Sequence, residues 1–530
     1  MTSTFAPMFE VANAAIPTLP SLSLSDEESR TASWLATRLF ERRPYLELHN
    51  LYYDGLQKMQ DLGISIPPSL SSLRTVVGWP RVGVDAVANR CRVDGFRYPG
   101  ASEADDDLWD LWQANNLDSE AHLAQLDAFV YGRAYIVVGP GDKDGDPPLI
   151  TAESPINMFA QWDGRMRKCV AALQIYLDTN YTSDMYGQEV AALYLPGKTI
   201  HMARAGTLAG VLPSTGKWEV TERDDHGIDE VPVIRMANRC RIGNRDGLSE
   251  ITPEWQNTVD SANRTLLGME VGREFFSAPR RYILGASEDA FKKPDGTSAA
   301  AWDTYMSKVW AVPADEDGKT PTVGQFAPGD PTAFTKLLDT YAKVMAGEMG
   351  VPPHFLGVYS DGNPASADAI RSGYEELTSR ATTKHTTLGD SWEEAMRLAL
   401  LIRDGSVPPE AARLETDWMD PSPKTPAATS DAVYKQVTAG ILPATSSVTL
   451  AKLGYSAAEI ARIEIDRTKD DGASLLLELS KSLIAKAAKV DTTIMTDVNP
   501  ELKGTAVVQP GVSQAPIATK APVQPPPQHG

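Results

Sequence analysis

Residues 251–285 read ITPEWQNTVDSANRTLLGMEVGREFFSAPRRYILG, which predicts a long helix followed by a strand. Thr252 can cap this helix, and Pro253 can take its first position, where proline loses no hydrogen bond. The helical pattern continues to about Phe276, which gives a helix about 36 Å long. The predicted apolar stripe comprises Trp255, Val259, Ala262, Leu266 and Met269.

A second helix is predicted over 331–349, because Asp330 and Pro331 repeat the same start. Lys336 and Lys343 lie seven residues apart and share one side of this helix. The predicted apolar residues, which centre on the opposite side, are Phe334, Leu337, Leu338, Tyr341, Val344 and Met345.

The segment between the two helices, residues 277–330, contains the strand-like runs RRYILG, SKVWAVP and TVGQF. We therefore expect the two helices to lead from a larger body to a small terminal module and back again.

A loop of about sixteen residues, GVPPHFLGVYSDGNPAS, follows the second helix over 350–366. Loops of this length inside a compact region are usually functional or disordered. This one carries four side chains that are unusual in a disordered tip: His354, Phe355, Leu356 and Tyr359. They leave two interpretations open, a functional loop or a loop tucked into the core. A long helix is predicted after it, over 367–405.

The rest of the chain predicts an α+β fold that is mostly helical. Ser25 followed by Glu28 forms a capping-box signal at the start of a helical region that extends to 131. Short alternating runs then predict strands over 133–236, after which helical patterns return. Residues 1–24 and 491–530 are rich in Pro, Ser, Thr and Gln, which predicts a flexible arm and a disordered tail.

Composition limits the functional classes. The 70 acidic and 50 basic residues give a net charge of −20, which argues against tight, extended binding to nucleic acid. The three cysteines, Cys91, Cys169 and Cys240, are too few and too far apart for a disulfide framework, and we predict buried free thiols. Neither a signal sequence nor an apolar run long enough to span a bilayer is found, so we expect a soluble protein made in the cytoplasm.

One motif suggests an enzyme. Residues 192–199, ALYLPGKT, match the loose Walker A pattern of nucleotide-binding loops. A phosphate loop must lead into a helix, whereas the stretch TIHMARAG, which begins at Thr199, continues as a strand. A β-turn between two strands is therefore the favoured interpretation. With no other catalytic signature and no metal-ligand spacing, we predict that the protein is not an enzyme and uses no cofactor or metal.

The chain resembles the portal proteins of tailed bacteriophages, in particular those of the long-tailed siphoviruses, from about residue 35 to 480. The resemblance rests on the order and spacing of several motifs rather than on any one of them. They are NRCRVDGF at 89–96, DAFVYGRAYIVVG at 127–139, TPEWQNTVDSANR at 252–264, and MGVPPHFLG followed by GNPASADAIRSGYEEL between 349 and 377.

The resemblance implies a portal fold with wing, stem, clip and crown regions around a central channel. The implied regions are the wing at 25–250 (helical part 25–131, strand-rich part 133–236), the first stem helix at 251–276, the clip at 277–330, the second stem helix at 331–349, the tunnel loop at 350–366, the long wing helix at 367–405 and the crown at 406–490. The arm at 1–24 and the tail at 491–530 match no part of the family.

The resemblance also implies a function. Family members form a ring, usually of twelve subunits, at one capsid vertex of the virion, and double-stranded DNA is packaged and ejected through it. Implied partners are the terminase large subunit, the major capsid and scaffolding proteins, and head-tail connector proteins, with no membrane involved. The protein would be made in the host cytoplasm and serve as a structural part of the virion.

By the same resemblance, three groups of side chains become candidate site residues. The tunnel-loop group lines the DNA channel and comprises His354, Phe355, Leu356, Tyr359 and Asn363. Lys336 and Lys343 are candidate lumen cations, with a solvated outer face or pairing with acids of the next subunit as alternatives. Arg280 and Arg281 are candidate clip contacts.

Two other functional hypotheses stay open. One is a packaging ATPase that uses Ala192–Thr199 as a Walker A loop, and the other is a monomeric cytoplasmic protein that forms no ring.

Overall fold

The computed structural model describes residues 24–57, 75–101, 103–141, 143, 145–204, 217–276, 281–285, 320–325, 331–358, 367–422, 426–455, 459–469 and 480–481. The chain divides into two compact units between Pro423 and Lys424. The fold is α+β, as the sequence predicted.

The first unit contains seven helices in its described part. They are α1 (Asp26–Asp54), α2 (Trp79–Ala88), α3 (Asp106–Ala114), α4 (Leu117–Tyr131), α5 (Pro253–Phe276), α6 (Thr332–Met349) and α7 (Ala367–Asp404). Its described strands are β1 (Val93–Arg97), β2 (Arg133–Gly139), β3 (Leu149–Glu153), β4 (Met158–Asp163), β5 (Lys168–Leu177), β6 (Glu189–Leu195), β7 (Lys198–Arg204), β8 (Glu219–Asp224), β9 (Val233–Ala237), β10 (Arg281–Leu284), β11 (Thr322–Gln325) and β12 (Glu415–Trp418).

The strand-rich prediction for 133–236 is confirmed. A five-stranded antiparallel sheet has the order β4-β5-β6-β7-β8, and a three-stranded sheet has the order β3-β2-β9. Neighbouring strands of the larger sheet follow one another in the chain, so it is a simple meander, and a two-residue turn joins β6 to β7. Two smaller pairs, β1 with β12 and β10 with β11, are also antiparallel.

The largest core lies where α7 packs against α2, β2, β9 and β12. Trp392 on α7 and Trp112 on α3 are both fully buried, and their rings meet edge to face with centroids 5.1 Å apart. Phe96 of β1 packs against Trp112 at 5.5 Å. Aromatic side chains with this much buried area dominate the stability of such a core.

Helix α1 connects this core to the five-stranded sheet. Its first half buries Ala32, Leu35 and Leu39 against β5, β6 and β7, whereas Leu46 and Tyr52, further along, belong to the largest core. The predicted capping box is confirmed, since the Glu28 amide donates to Ser25 Oγ at 3.3 Å and the Ser25 amide donates to Glu28 Oε2 at 2.9 Å.

The predicted stripe on α5 is partly wrong. Trp255, Val259 and Ala262 are buried as expected, but further along the helix Leu267 and Val271 are buried instead of Leu266 and Met269. The buried side follows a four-residue spacing, 255, 259, 263, 267 and 271. The reason is that residues 75–77 also cover this side, where the Val77 amide donates to Asn263 Oδ1 at 2.9 Å.

The second helix begins slightly later than predicted. Pro331 occupies the N-cap position of α6 and provides no side-chain cap, because proline lacks a side-chain acceptor. Asp330, the predicted cap, lies outside the described residues. At the other end, Gly350 ends the helix as a left-handed C-cap with φ +68°, as its position predicted.

The remaining predictions on the fold have mixed outcomes. Cys91 and Cys169 are buried free thiols, but Cys240 is exposed. The predicted crown, 406–490, includes β12, which pairs with β1, and the bounds of the crown stay a prediction.

The second unit contains α8 (Pro426–Thr438) and α9 (Ser447–Leu453), which pack on each other. Val433 and Leu450 are buried between them, and Tyr434, Ile441 and Val448 are exposed.

Two glycines allow a close backbone contact at the end of α4. Gly132 ends that helix with φ +91°, and Gly247 in the loop before α5 has φ +89°. A Cβ atom on Gly247 would lie 2.0 Å from the carbonyl oxygen of Gly132. That same oxygen accepts a hydrogen bond from the Asn238 amide at 2.9 Å. Only glycine at position 247 is compatible with this contact.

We therefore expect Gly247→Ala to lower the free energy of unfolding by about 2–4 kcal/mol, from left-handed backbone strain and overpacking together. Gly243→Ala is the matched control, because its φ is not left-handed and a Cβ there meets no described atom within 4 Å. Urea unfolding curves of both variants test this. Equal stability of the two variants would contradict it.

Candidate functional site

The start of the predicted tunnel loop is anchored by aromatic side chains. His354, Phe355 and Leu356 lie in a 3-10 turn, Pro353–Leu356, directly after α6. His354 Nε2 lies 3.2 Å from the hydroxyl of Tyr374 on α7. The rings of His354 and Phe355 meet edge to face with centroids 5.0 Å apart, and Phe355 meets the Tyr374 ring at 5.8 Å. These contacts attach the turn to α7.

The interpretation as a loop tucked into the core holds for part of it, and the functional interpretation stays a prediction. Leu356 is buried in the largest core, whereas His354 is exposed and Phe355 is half-buried. The sequence did not identify Tyr374 as a partner, although it lies in the quoted motif GYEEL. Tyr359 and Asn363 lie outside the described residues.

The two candidate lysines both lie on α6 with exposed side chains. Within the described part of the chain, neither Lys336 nor Lys343 forms an ion pair. Helix geometry places residues seven apart about 20° from each other around the axis, so both point to the same side. Because one helix includes both residues, the prediction that Lys336 and Lys343 share one side is confirmed.

The predicted apolar side of α6 is only partly the side that packs inside the chain, because Met345 is buried as predicted. The buried residues are Ala342, Met345, Ala346 and Met349. Of the predicted apolar residues, Phe334, Leu337 and Val344 remain 37, 40 and 48% exposed. Leu338 and Tyr341 are half-buried, so the packed side is rotated from the predicted one rather than opposite to it. Leu337, Tyr341 and Val344 thus form a continuous strip, here called the α6 apolar strip, because their spacing of four and three keeps them on one side of the helix.

The two helices α5 and α6 share a base on α7. Lys384 of α7 donates to Glu250 and to Asn238 Oδ1, and all three side chains are largely buried. Burial raises the pKa of Glu250, but the Lys384 ammonium more than offsets this, so the pKa lies below its usual value. Arg380, one turn earlier, donates from Nη1 to the carbonyl of Glu348 at 2.9 Å. Helix α7 therefore holds both the start of α5 and the end of α6.

The clip candidates are only partly described. Arg280 lies outside the described residues, and Arg281 is the first residue of β10, where its backbone pairs with Gln325 of β11. The described structure tests no contact of either arginine.

The Walker A hypothesis is not supported. Residues 192–199 form the β6–β7 hairpin, in which Leu195 pairs with Lys198 and Gly197 has φ +80°. No helix follows Lys198, because the chain continues as β7. The Lys198 ammonium binds the carboxylate of Glu28 instead of facing an open loop.

Glu28 is the centre of this ion-pair network. Its side chain is buried, and Arg223 Nη1 and Nη2 each donate to it at 3.2 Å. The hydrogen bonds from Arg223 and then from Lys198 lower the pKa of Glu28 to about 2, although burial opposes them. The network fixes the start of α1 to β7 and β8, so the lysine has a structural role.

In the described residues, no three His, Cys, Asp or Glu side chains lie close enough together to bind a metal ion. None of the described helices is long and apolar enough to span a membrane.

Comparison with known proteins defines the class. The sequence model of the family described as "Phage portal protein, SPP1 Gp6-like" matches residues 33–472. The chain belongs to this family of phage portal proteins.

Two relatives that match most of the chain support the assignment to this family. The portal protein of Mycobacterium phage D29 is 36% identical over 466 residues, which cover 86% of this chain and 90% of that protein. The portal protein of Mycobacterium phage L5 is 36% identical over 444 residues, covering 82% and 86%.

Among solved structures, a chain of "Neck of native GTA particle computed with C12 symmetry" is 16% identical, with a TM-score of 0.39, and covers 71% of this chain and 89% of that one. A chain of "Neck of empty GTA particle computed with C6 symmetry" is 15% identical with a TM-score of 0.37, at the same coverage. The family assignment rests on the family model and the two mycobacteriophage relatives.

The Glu28 network predicts an effect on stability. Glu28→Gln removes a buried carboxylate that holds two cations, so we expect the free energy of unfolding at pH 7 to fall by about 1–3 kcal/mol. The pKa of Glu28 is lower in the folded state than in the unfolded state, so its contribution is complete above the unfolded value of 4.5 and is lost as pH falls toward 2. The difference between wild type and variant should therefore shrink over that range.

Glu27→Gln is the matched control, because Glu27 is exposed in the same first turn of α1. Its effect should stay within about 0.5 kcal/mol. Urea unfolding at several pH values measures both variants, and a pH-independent difference for Glu28→Gln would disprove this role.

Proposed function

We propose that copies of this portal protein close into a ring, of twelve subunits, and that double-stranded DNA passes through its channel during packaging and ejection. The protein acts as a structural part of the virion, at one capsid vertex, and needs no catalytic site of its own. Membership of the portal family and the exposed α6 apolar strip support this proposal.

The α6 apolar strip is the observation that carries the ring. Leu337 and Val344 are 40 and 48% exposed in the single chain, although α5 already packs on another side of the same helix. Exposed apolar area arranged in a row is costly in water and is typical of protein interfaces. In a ring each subunit uses two different surfaces, one toward each neighbour. The strip on α6 can therefore pack against a different surface of the next subunit, and not against that subunit's own strip.

The strip also supports an orientation for the two lysines. Lys336 directly precedes Leu337, and Lys343 directly precedes Val344, so each lysine lies about 100° around the helix from the strip. If α5 and the next subunit cover two sides of α6, the lysines occupy a third side, which we assign to the channel lumen. The alternative assignment, to the outer face or to acids of the neighbour, predicts no effect on DNA.

Charge supports a channel that conducts DNA without retaining it. A net charge of −20 per chain keeps counterion-release affinity low, because few phosphates are neutralised. Two lysines per subunit can centre the duplex without holding it.

The regions keep their proposed roles. Residues 25–250 with α7 form the wing, α5 and α6 form the stem, residues 277–330 the clip, and 350–366 the tunnel loop. The second unit, from Lys424, corresponds to the crown. Proposed partners are the terminase large subunit and head-tail connector proteins at the clip, through Arg280 and Arg281, and the major capsid and scaffolding proteins around the wing. Synthesis in the host cytoplasm precedes assembly.

The ring predicts a specific assembly defect. The double variant Leu337→Asp, Val344→Asp places charges in the α6 apolar strip, and we expect rings to be replaced by smaller species, because burying an unpaired charge costs several kcal/mol per interface. Native mass spectrometry and end-on electron-microscope images measure this. Unchanged rings in the double variant would refute the role of the strip, and a wild-type protein that is only monomeric would refute the ring.

The lysines predict a change in DNA binding by intact rings. The double variant Lys336→Gln, Lys343→Gln should still assemble, since both side chains lie off the strip, and should bind duplex DNA more weakly at low salt. The slope of log affinity against log salt should also become less steep. Lys217→Gln, an exposed lysine before β8, is the control. If the wild type, the double variant and Lys217→Gln had equal slopes of log affinity against log salt, Lys336 and Lys343 would lie outside the lumen.

A further inference from the structure

Three arginines from separate elements converge on a single carboxylate beside the five-stranded sheet. Arg42 of α1 donates to Asp246, and Arg133 Nη1 of β2 lies 4.0 Å from Asp246 Oδ2. Arg235 Nη1 of β9 lies 3.6 Å from Asp246 Oδ1. Asp246 is the acid that lies within 4 Å of all three guanidinium groups.

The cluster holds more positive charge than one carboxylate balances. The side chains of Arg133 and Arg235 are only 10 and 6% exposed. Burial lowers the pKa of the Arg133 guanidinium, with Arg42 adding repulsion. A further acid, Glu394, interacts with Arg235, and burial raises the pKa of Glu394 to about 7. The local charge thus stays positive near neutral pH.

Several donors of the cluster have no acceptor. Among the described residues, Arg42 Nη1 and the Nε and Nη1 atoms of Arg235 are buried without a hydrogen bond. Aromatic rings cover the guanidiniums from outside the cluster, because Arg42 lies 4.9 Å from the Phe159 ring centroid and Arg235 lies 4.2 Å from that of Trp162. Buried donors without acceptors are costly, so such a cluster normally receives an anion.

A cavity of about 190 Å³ opens onto Arg42 and Arg133, whereas Arg235 is not among its lining residues. Arg42, Arg133 and Asp246 line it together with Tyr45 and Asn244. At about 30 Å³ per water, this volume holds one tetrahedral oxyanion with part of its hydration shell.

We infer that this cavity is an oxyanion site and that its ligand is a free phosphate ion. Guanidinium groups match phosphate oxygens because their planar forks donate two parallel, charge-assisted hydrogen bonds. The ion connects α1 and β2 to the loop that leads to α5. Phosphate therefore stabilises the wing next to the start of α5. This inference does not depend on the proposed ring.

The test compares melting temperatures of the full-length protein in inorganic phosphate and in sodium chloride at equal pH and ionic strength. We expect about 10 mM phosphate to raise the melting temperature by about 2–5 °C, because a ligand bound only by the folded state stabilises it. Arg133→Met should abolish this rise. Arg42→Gln is a second variant with a less buried side chain, which should fold and should reduce the rise at least by half.

Arg38→Gln is the matched control, since Arg38 lies one turn before Arg42 on α1 and pairs only with exposed Glu41 among the described residues. It should keep the full phosphate effect. Equal melting temperatures of the wild-type protein in phosphate and chloride would overturn the inference. So would an equal phosphate effect in Arg42→Gln and Arg38→Gln, which would show a general salt effect.

Discussion

The buried ion pair between Lys384 and Glu250 is the constraint on which the arrangement of this portal protein depends. It ties the middle of α7 to the residues that lead into α5, while Arg380, one turn away, binds the end of α6. Removing one partner of such a pair leaves an uncompensated buried charge, which costs about 3–5 kcal/mol. Helices α5 and α6 therefore extend from a fixed base on α7.

Charged side chains connect elements of the first unit that are distant in sequence. Glu28 joins the start of α1 to β7 and β8 through Lys198 and Arg223, so the lysine of the Walker-like sequence is already bound within the fold. Asp246 gathers three arginines in the same way but leaves them with excess charge. Glu28 also faces two cations, so the Asp246 cluster differs by its third cation and by its buried donors without a hydrogen bond.

Much of the fold could be predicted because it depends on local patterns. Hydrophobic periodicity and helix caps act within a few residues. They were sufficient to predict the capping box at Ser25, the strand-rich region and the helices α5 and α6. The site could be predicted only in part. His354 and Phe355 were singled out because they are unusual for a loop, but Tyr374 was missed because it lies on α7, 20 residues further along the chain than His354.

The sequence by itself determined the family, the order of elements and the acidic charge, since motif order and composition do not depend on packing. Tertiary structure alone decided which side of each helix is buried. Leu337 and Val344 have the pattern of a core, yet the chain buries a neighbouring side of α6 and leaves them exposed. Likewise, Arg42, Arg133, Arg235 and Asp246 share no local pattern, and only folding brings them together. Periodicity reports that a helix has an apolar side, whereas the neighbour that covers that side is set by distant parts of the chain or by another subunit.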